Sequence, residues 1–182
     1  MSKYWIQTYT NKIFDLLEPN EDMIDIIDIA HHCAIENRYN GASKFPYSVA
    51  YHSYLGAEQA DEEFKLEFLF HDSHEAYYKD WTSPFKTMLS EMAGIEYEDI
   101  IKPYETVVQL KFGLNFSAYK EQIKIIDKRM AKTEKIALYN SPLCWHPNVE
   151  NAEPYTNIAI MNLSYDNTER LFLEMYEKYR RI

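Results

Sequence analysis

From Asp22 onward the apolar residues recur at intervals of three and four, not two. Met23, Ile26, Ile27, Ala30 and Ala34 form one stripe, and Val49, Gly56 and Ala60 form another that also carries His52 and Ser53. That period belongs to α-helices with one buried face. Helix boundaries can be read as well. Pro46 precedes the second stripe, and Asp61 is placed to cap a helix over residues 62–78. Ser83-Pro84 has the cap-plus-proline form of a helix start. Ser117 is placed to cap a long helix ending near Asn140, and Asp166 with Glu169 resembles a capping box for the final helix. Residues 141–154, with three prolines, read as a loop. The strand-like signal is confined to the start, where Tyr4, Trp5, Ile6, Thr8 and Tyr9 precede Asn11-Lys12 and then Ile13-Phe14, a pattern that suits a short β-hairpin. With only four glycines, no fixed-period repeat and no Pro/Gly/Ser-rich linker, the 182 residues read as a single domain. The expected fold is an all-α, compact multi-helix bundle with a short N-terminal hairpin.

Charge narrows the function classes. The formal net charge of -10 disfavours a nucleic-acid polymer as partner, because such binders present a basic face to the phosphate backbone. It leaves room for one small phosphorylated ligand held by a few local cations. No run approaches the ~20 apolar residues of a membrane helix, and Met1-Ser2-Lys3-Tyr4-Trp5 has no secretory signal. A cytoplasmic location is therefore expected, with Cys33 and Cys144 reduced. Sixteen tyrosines and nine phenylalanines read first as core and subunit-contact packing.

The anomaly is a set of ionisable residues on faces that should be buried. His71 and Asp72 follow directly on Phe68-Leu69-Phe70, and Glu75 lies four and three residues beyond them, so one continuous helix would carry all three on nearly one side. Asp127 shares its face with Ile123, Met130, Glu134 and Ala137. Taken singly, a helical His reads as a hydrogen-bonded core residue and an Asp as a solvated one. Together, His52 on one helix, His71-Asp72 on the next and Asp127 on a later one supply two imidazole nitrogens and two carboxylates. That set suits zinc, manganese, iron or cobalt. A buried carboxylate without a partner costs several kcal/mol, and one divalent cation serves several donors at once.

In this order the residues resemble the H…HD…D signature of the HD-domain phosphohydrolases. Ser48-Val49-Ala50-Tyr51-His52-Ser53 resembles the family's first-histidine motif. The stretch from His71-Asp72-Ser73-His74-Glu75-Ala76 through Asp80 to Ser83-Pro84-Phe85-Lys86 resembles its HD…E…D…SP.K segment. Arg38-Tyr39 sits where relatives carry an Arg-aromatic pair, and Asp127 followed by Glu134 has the spacing of the late D…E motif. The likeness spans roughly residues 5–139 and points to the branch of bacterial 5′-deoxynucleotidases and bacteriophage-type dATP triphosphohydrolases. The length and the Trp5-Ile6-Gln7-Thr8-Tyr9 opening look closer to the phage-type enzymes, for which the compartment would be the host cytoplasm. Tyr51 departs from the polar residue usual before the first His, and Tyr39 from the indole or phenyl ring common there.

The resemblance implies one divalent metal ion, zinc, cobalt or manganese, held by His52, His71, Asp72 and Asp127. It implies hydrolysis of the 5′-phosphate groups of a 2′-deoxynucleotide, dATP first and a deoxynucleoside monophosphate as the alternative, and a homo-oligomeric assembly. A non-catalytic nucleotide-binding role is the reading from another class. Glu75 is the candidate general acid. Asp80 is placed to position water or bond the sugar, although it also suits a turn ahead of the next helix. Arg38 and Lys86 are the candidate phosphate donors, with Lys44 and His74 as weaker ones. Tyr39 and Trp81 are placed to pack on sugar or base. His31 and His32, adjacent on one helix, project apart and are not assigned as ligands.

Overall fold

The computed structural model describes residues 3–139 and 143–180. At its start β1 (Trp5–Gln7) pairs antiparallel with β2 (Ile13–Asp15), Ile6 opposite Phe14. The turn between them passes through Asn11 at φ 64, a left-handed conformation that Asn tolerates. Phe14 carries the hairpin into the core, stacked on Tyr77 at 4.0 Å between ring centroids. The buried Asp28 of α1 (Ile26–Ile35) accepts from the Thr10 backbone at 2.7 Å and its hydroxyl at 2.8 Å, tying hairpin to helix.

The helices that follow are α2 (Val49–Ala57), α3 (Lys65–Phe70), α4 (Glu75–Tyr78), α5 (Ser83–Ala93), α6 (Tyr97–Phe112), α7 (Lys120–Leu138), α8 (Pro147–Glu150) and α9 (Tyr165–Tyr179). The all-α class with a short N-terminal hairpin is the observed fold. α9 packs across α1, α2 and α3, and α7 lies against α2. No described helix is long and apolar enough to cross a membrane. Cys33 is buried and Cys144 exposed, and the two are not bonded.

Several local readings need correction. The helix expected over residues 62–78 is a 3-10 turn (Glu62–Phe64) followed by α3 and α4, separated by turns at His71 to His74. Side chains compete for the carbonyls there. His71 Nδ1 lies 2.6 Å from the Phe68 carbonyl and the Ser73 hydroxyl donates to that of Phe70 at 2.6 Å, while the backbone tightens to three-residue bonds. α5 begins one residue earlier than read, with Thr82 as its cap. α7 begins at Lys120, because Ser117 bonds Asn115 instead of capping. α9 is capped by Ser164, whose side chain accepts from Asn167, and Glu169 pairs with His31. The residues read as a loop contain the short α8, and α6 was not anticipated. Asn140, Ser141 and Pro142, at the expected end of α7, lie outside the described residues.

α2 and α3 meet closely at Gly56, where an added Cβ would stand 2.1 Å from the Phe68 ring. That ring is fully buried, 4.4 Å from the His71 ring and 6.2 Å from that of His52 between centroids. Gly56→Ala should therefore lower stability by about 1–3 kcal/mol through overpacking, outweighing the roughly 1 kcal/mol by which alanine favours a helix. Urea unfolding followed by circular dichroism checks this. A variant as stable as the parent would mean the Phe68 ring is free to retreat.

Candidate metal centre

Antiparallel pairing of Asn37 with Ser48 brings the chain before α2 back alongside its start, and the Arg38 N–H donates to the Tyr47 carbonyl at 2.9 Å. Arg38 is thereby set beside the first turn of α2. Ser48 caps that turn by accepting from the Tyr51 N–H, and His52 follows, fully buried. His71 and Asp72 come from the turn that ends α3, and Asp127 from the middle of α7.

The donor atoms of His52, His71 and Asp72 lie within 4.8 Å of one another, and Asp127 stands beside this group on the His52 side. His52 Nε2 lies 3.4 Å from His71 Nε2, 3.6 Å from Asp72 Oδ2 and 3.3 Å from Asp127 Oδ1. His71 Nε2 lies 3.2 Å from Asp72 Oδ2 and 4.0 Å from Asp127 Oδ1. Donors bound to one ion at about 2.0–2.2 Å stand roughly 3.0–3.5 Å from their nearest co-ligands, so the spacing fits a shared cation. The far side of each imidazole agrees. His52 Nδ1 is 2.6 Å from Glu134 Oε1, and His71 Nδ1 is 2.6 Å from the Phe68 carbonyl. With each Nδ1–H donated to an acceptor, Nε2 is the nitrogen that each imidazole turns toward the cluster, and its lone pair is available there once the ring is neutral. Asp127 Oδ1, buried there, lies 3.3 Å from His52 Nε2 and has no well-formed hydrogen bond among the described residues. His52, His71 and Asp72, with the Asp127 carboxylate beside them, are a donor set that could hold a divalent cation.

The electrostatics are strongly coupled. Burial and Arg38 press the His52 proton off, but Glu134 and Asp127 prevail and lift it to about 9. Burial works against the Asp72 charge, yet His71 and Arg38 hold that carboxyl well below the usual range. Arg38 lies among the acids, 2.9 Å from Asp72, 3.5 Å from Glu134 and 4.0 Å from Asp127. Glu134 was legible only as a motif position, and the structure gives it a role. This fully buried carboxylate orients His52 and accepts from the hydroxyls of Tyr39 and, at 2.9 Å, Tyr47.

Beside the cluster opens a cavity of about 670 Å³ lined by Arg38, Tyr39, Asp72, Glu75, Asp80, Trp81, Lys86 and Asp127, and also by Lys128, Tyr139 and Trp145. Glu75 is buried, and burial together with Asp72 and Asp80 raises its carboxyl well above the usual carboxylate range. Asp80 accepts from the Tyr39 N–H at 3.2 Å. That bond and the Glu134 contact hold Tyr39 at φ 61, a strained value for a bulky residue. Trp81 stacks on Tyr97, and Lys86 Nζ lies 4.2 Å from the Tyr97 ring centre. His74 is buried next to the Tyr97 ring, pressed down to about 4 by burial, and does not line the cavity. Lys44 stands apart, its Nζ donating to the Ala137 carbonyl. Lys128, Tyr139 and Trp145 were not singled out from the sequence, since residues on one wall carry no spacing signal.

Fold and site together define a mostly helical protein with a short N-terminal hairpin and a cluster of histidines and aspartates at the edge of a cavity of about 670 Å³. No protein-family model matches the chain. It is 32% identical over 146 residues to the uncharacterized protein RCAP_rcc00048 of Rhodobacter capsulatus, covering 74% of this chain and 72% of that protein, and it belongs to the same family. It is also similar to the uncharacterized protein YfdR of Escherichia coli K12, 28% identical over 172 residues, covering 94% and 93% of the two chains.

Proposed function

We propose that this chain is a metal-dependent phosphohydrolase of the HD-domain kind that removes the 5′-phosphate groups of 2′-deoxynucleotides, with dATP first and deoxyadenosine plus triphosphate as products. The observation that carries this reading is the grouping of His52, His71 and Asp72, with Asp127 beside His52, next to a buried Glu75 whose carboxyl is raised by burial and by Asp72 and Asp80. His52, His71, Asp72 and Asp127 are the residues that would hold a divalent cation, whose chemistry there would be activation of water and neutralisation of phosphate charge. Glu134 and the Phe68 carbonyl fix the imidazole orientations. Arg38, Lys86 and Lys128 are the cavity-lining donors for phosphate oxygens. Glu75 delivers its proton to the departing 5′-oxygen, and Asp80 positions water or the sugar.

The alternative is a 5′-deoxynucleotidase acting on monophosphates. It is favoured by one observation: Arg38 already faces three carboxylates, which leaves Lys86 and Lys128 as the other Lys or Arg side chains on the described cavity lining. Either activity suits a cytoplasmic protein with net charge -10 that takes a small anion and no nucleic-acid polymer. Assembly as a homo-oligomer belongs to the same reading.

Incubation with each deoxynucleotide and ribonucleotide in zinc, cobalt or manganese, followed by identification of the released phosphate species, is the test. Triphosphate from dATP is the expected product, and orthophosphate from dAMP supports the alternative. The 2′-deoxy substrate should exceed its ribose counterpart in kcat/KM. Equal values for dATP and ATP, and for dAMP and AMP, would remove the deoxyribose assignment.

A further inference from the structure

One wall of the cavity holds none of the four candidate donors and neither Glu75 nor Asp80. Tyr39, Tyr139 and Trp145 meet there, with the Trp145 ring centroid 5.3 Å from that of Tyr39 and 5.2 Å from that of Tyr139, and the two tyrosines 5.8 Å apart. Rings that only fill a core are sealed on all sides. Tyr139 and Trp145 are half-buried, and both line the open cavity.

The wall is also held in place. The Trp145 N–H donates to Glu150 at 2.5 Å, and the same carboxylate accepts from Lys132 at 2.7 Å and from Lys135, both on α7. Its position relative to the cluster follows from a chain of contacts. Glu134 bonds His52 on one side and the Tyr39 hydroxyl on another. The Tyr39 ring has the Arg38 guanidinium 5.3 Å from its centre and Trp145 as a further neighbour. From the donors the contacts run through Arg38 and Tyr39 to Trp145, which lines the same cavity on the side away from Glu134 and His52 in this chain of contacts.

We propose that Trp145, with Tyr139, is the stacking platform for the nucleobase and thereby a specificity-determining site. The assignment rests on the nucleotide reading above. No asparagine or glutamine lines the cavity among the described residues, so no side-chain amide offers the paired donor and acceptor that reads a base edge. The platform therefore selects by the area of the ring face, and a purine is favoured over a pyrimidine.

Calorimetric titration of wild type, Trp145→Ala and Trp145→Phe with deoxyadenosine, and separately with inorganic phosphate in the presence of metal, tests this without turnover. Trp145→Ala should weaken deoxyadenosine about tenfold, Trp145→Phe should stay within about threefold of wild type because a smaller aromatic face remains, and phosphate should bind all three alike. Unchanged deoxyadenosine affinity in Trp145→Ala overturns the assignment. So does equal weakening of deoxyadenosine and phosphate, which marks a structural role, and so does a wild type that does not bind deoxyadenosine. Trp145-dependent binding without phosphate release from any nucleotide supports the platform while refuting the hydrolase. Phosphate release indifferent to both base and Trp145 refutes the platform alone.

Discussion

Glu75→Gln should lower kcat on the proposed substrate by about 10²–10⁴, the usual contribution of a positioned general acid, while metal content and KM stay near those of the parent. Glutamine keeps the size of the side chain and its hydrogen-bonding capacity but has no proton to give. Glu75 is suited to giving one because burial, Asp72 and Asp80 all oppose its ionisation. The active form is the protonated one, so kcat in the parent should fall as pH rises through that elevated value, and the glutamine variant should lack this limb. Asp72→Ala is the contrasting control. It removes a donor 3.2 Å from His71 Nε2, so metal and turnover should be lost together. Metal analysis and a pH–kcat profile on both variants decide the matter. A Glu75→Gln protein without metal would make Glu75 a ligand or a structural residue. One with metal and near-normal kcat would move the acid to Asp80 or to a bound water.

What the sequence made legible was residue type set against helical period. His52, His71, Asp72 and Asp127 stand out because each falls where the apolar spacing leaves no place for a charge, and α2, the turn after α3 and α7 do present them from buried or half-buried positions. The break between α3 and α4 was hidden, because it comes from the His71 ring and Ser73 hydroxyl bonding backbone carbonyls, a choice no periodicity records. α6 escaped notice although Tyr97, Ile101, Tyr104 and Val108 are buried at helical spacing, since Pro103 stands inside it and reads as a breaker. The cap of α9 was misassigned by two residues, being Ser164 and not Asp166. The partners of Glu134 lay beyond reach for another reason. Tyr47 is 87 positions away and His52 is 82, and contacts made across such distances exist only after the helices have packed.

Glu134→Gln should cost the metal-free protein about 3 kcal/mol of stability at pH 5.5–6.5 and flatten its acid limb. The carboxyl is held down at about 2 although burial opposes this, because His52 and Arg38 favour the charged form and the His52 and Tyr39 hydrogen bonds add to it. From an ordinary value of 4.5, that depression of about 2.5 units corresponds to roughly 3 kcal/mol at 1.36 kcal/mol per unit. The sign follows from the direction: a depressed carboxyl stabilises above its unfolded value, and the contribution is lost as pH falls from about 4.5 through about 2. His52 shows the other end of the same interaction. Its value, raised from 6.5 to about 9, gives stabilisation that is complete below 6.5 and lost as pH rises through 9, so the two flanks describe one pair and are not added. Urea unfolding of chelator-treated protein from pH 2 to 9 should trace a plateau between these flanks in the parent and a lower, flatter curve in the variant. Metal affinity should fall as well, by about 10–100-fold, because the imidazole loses the charged acceptor that fixes its tautomer. If the variant keeps the parent's acid limb, Glu134 is not the group that titrates there. Unchanged metal affinity would mean that the Nδ1 contact does not orient His52 for its ligand.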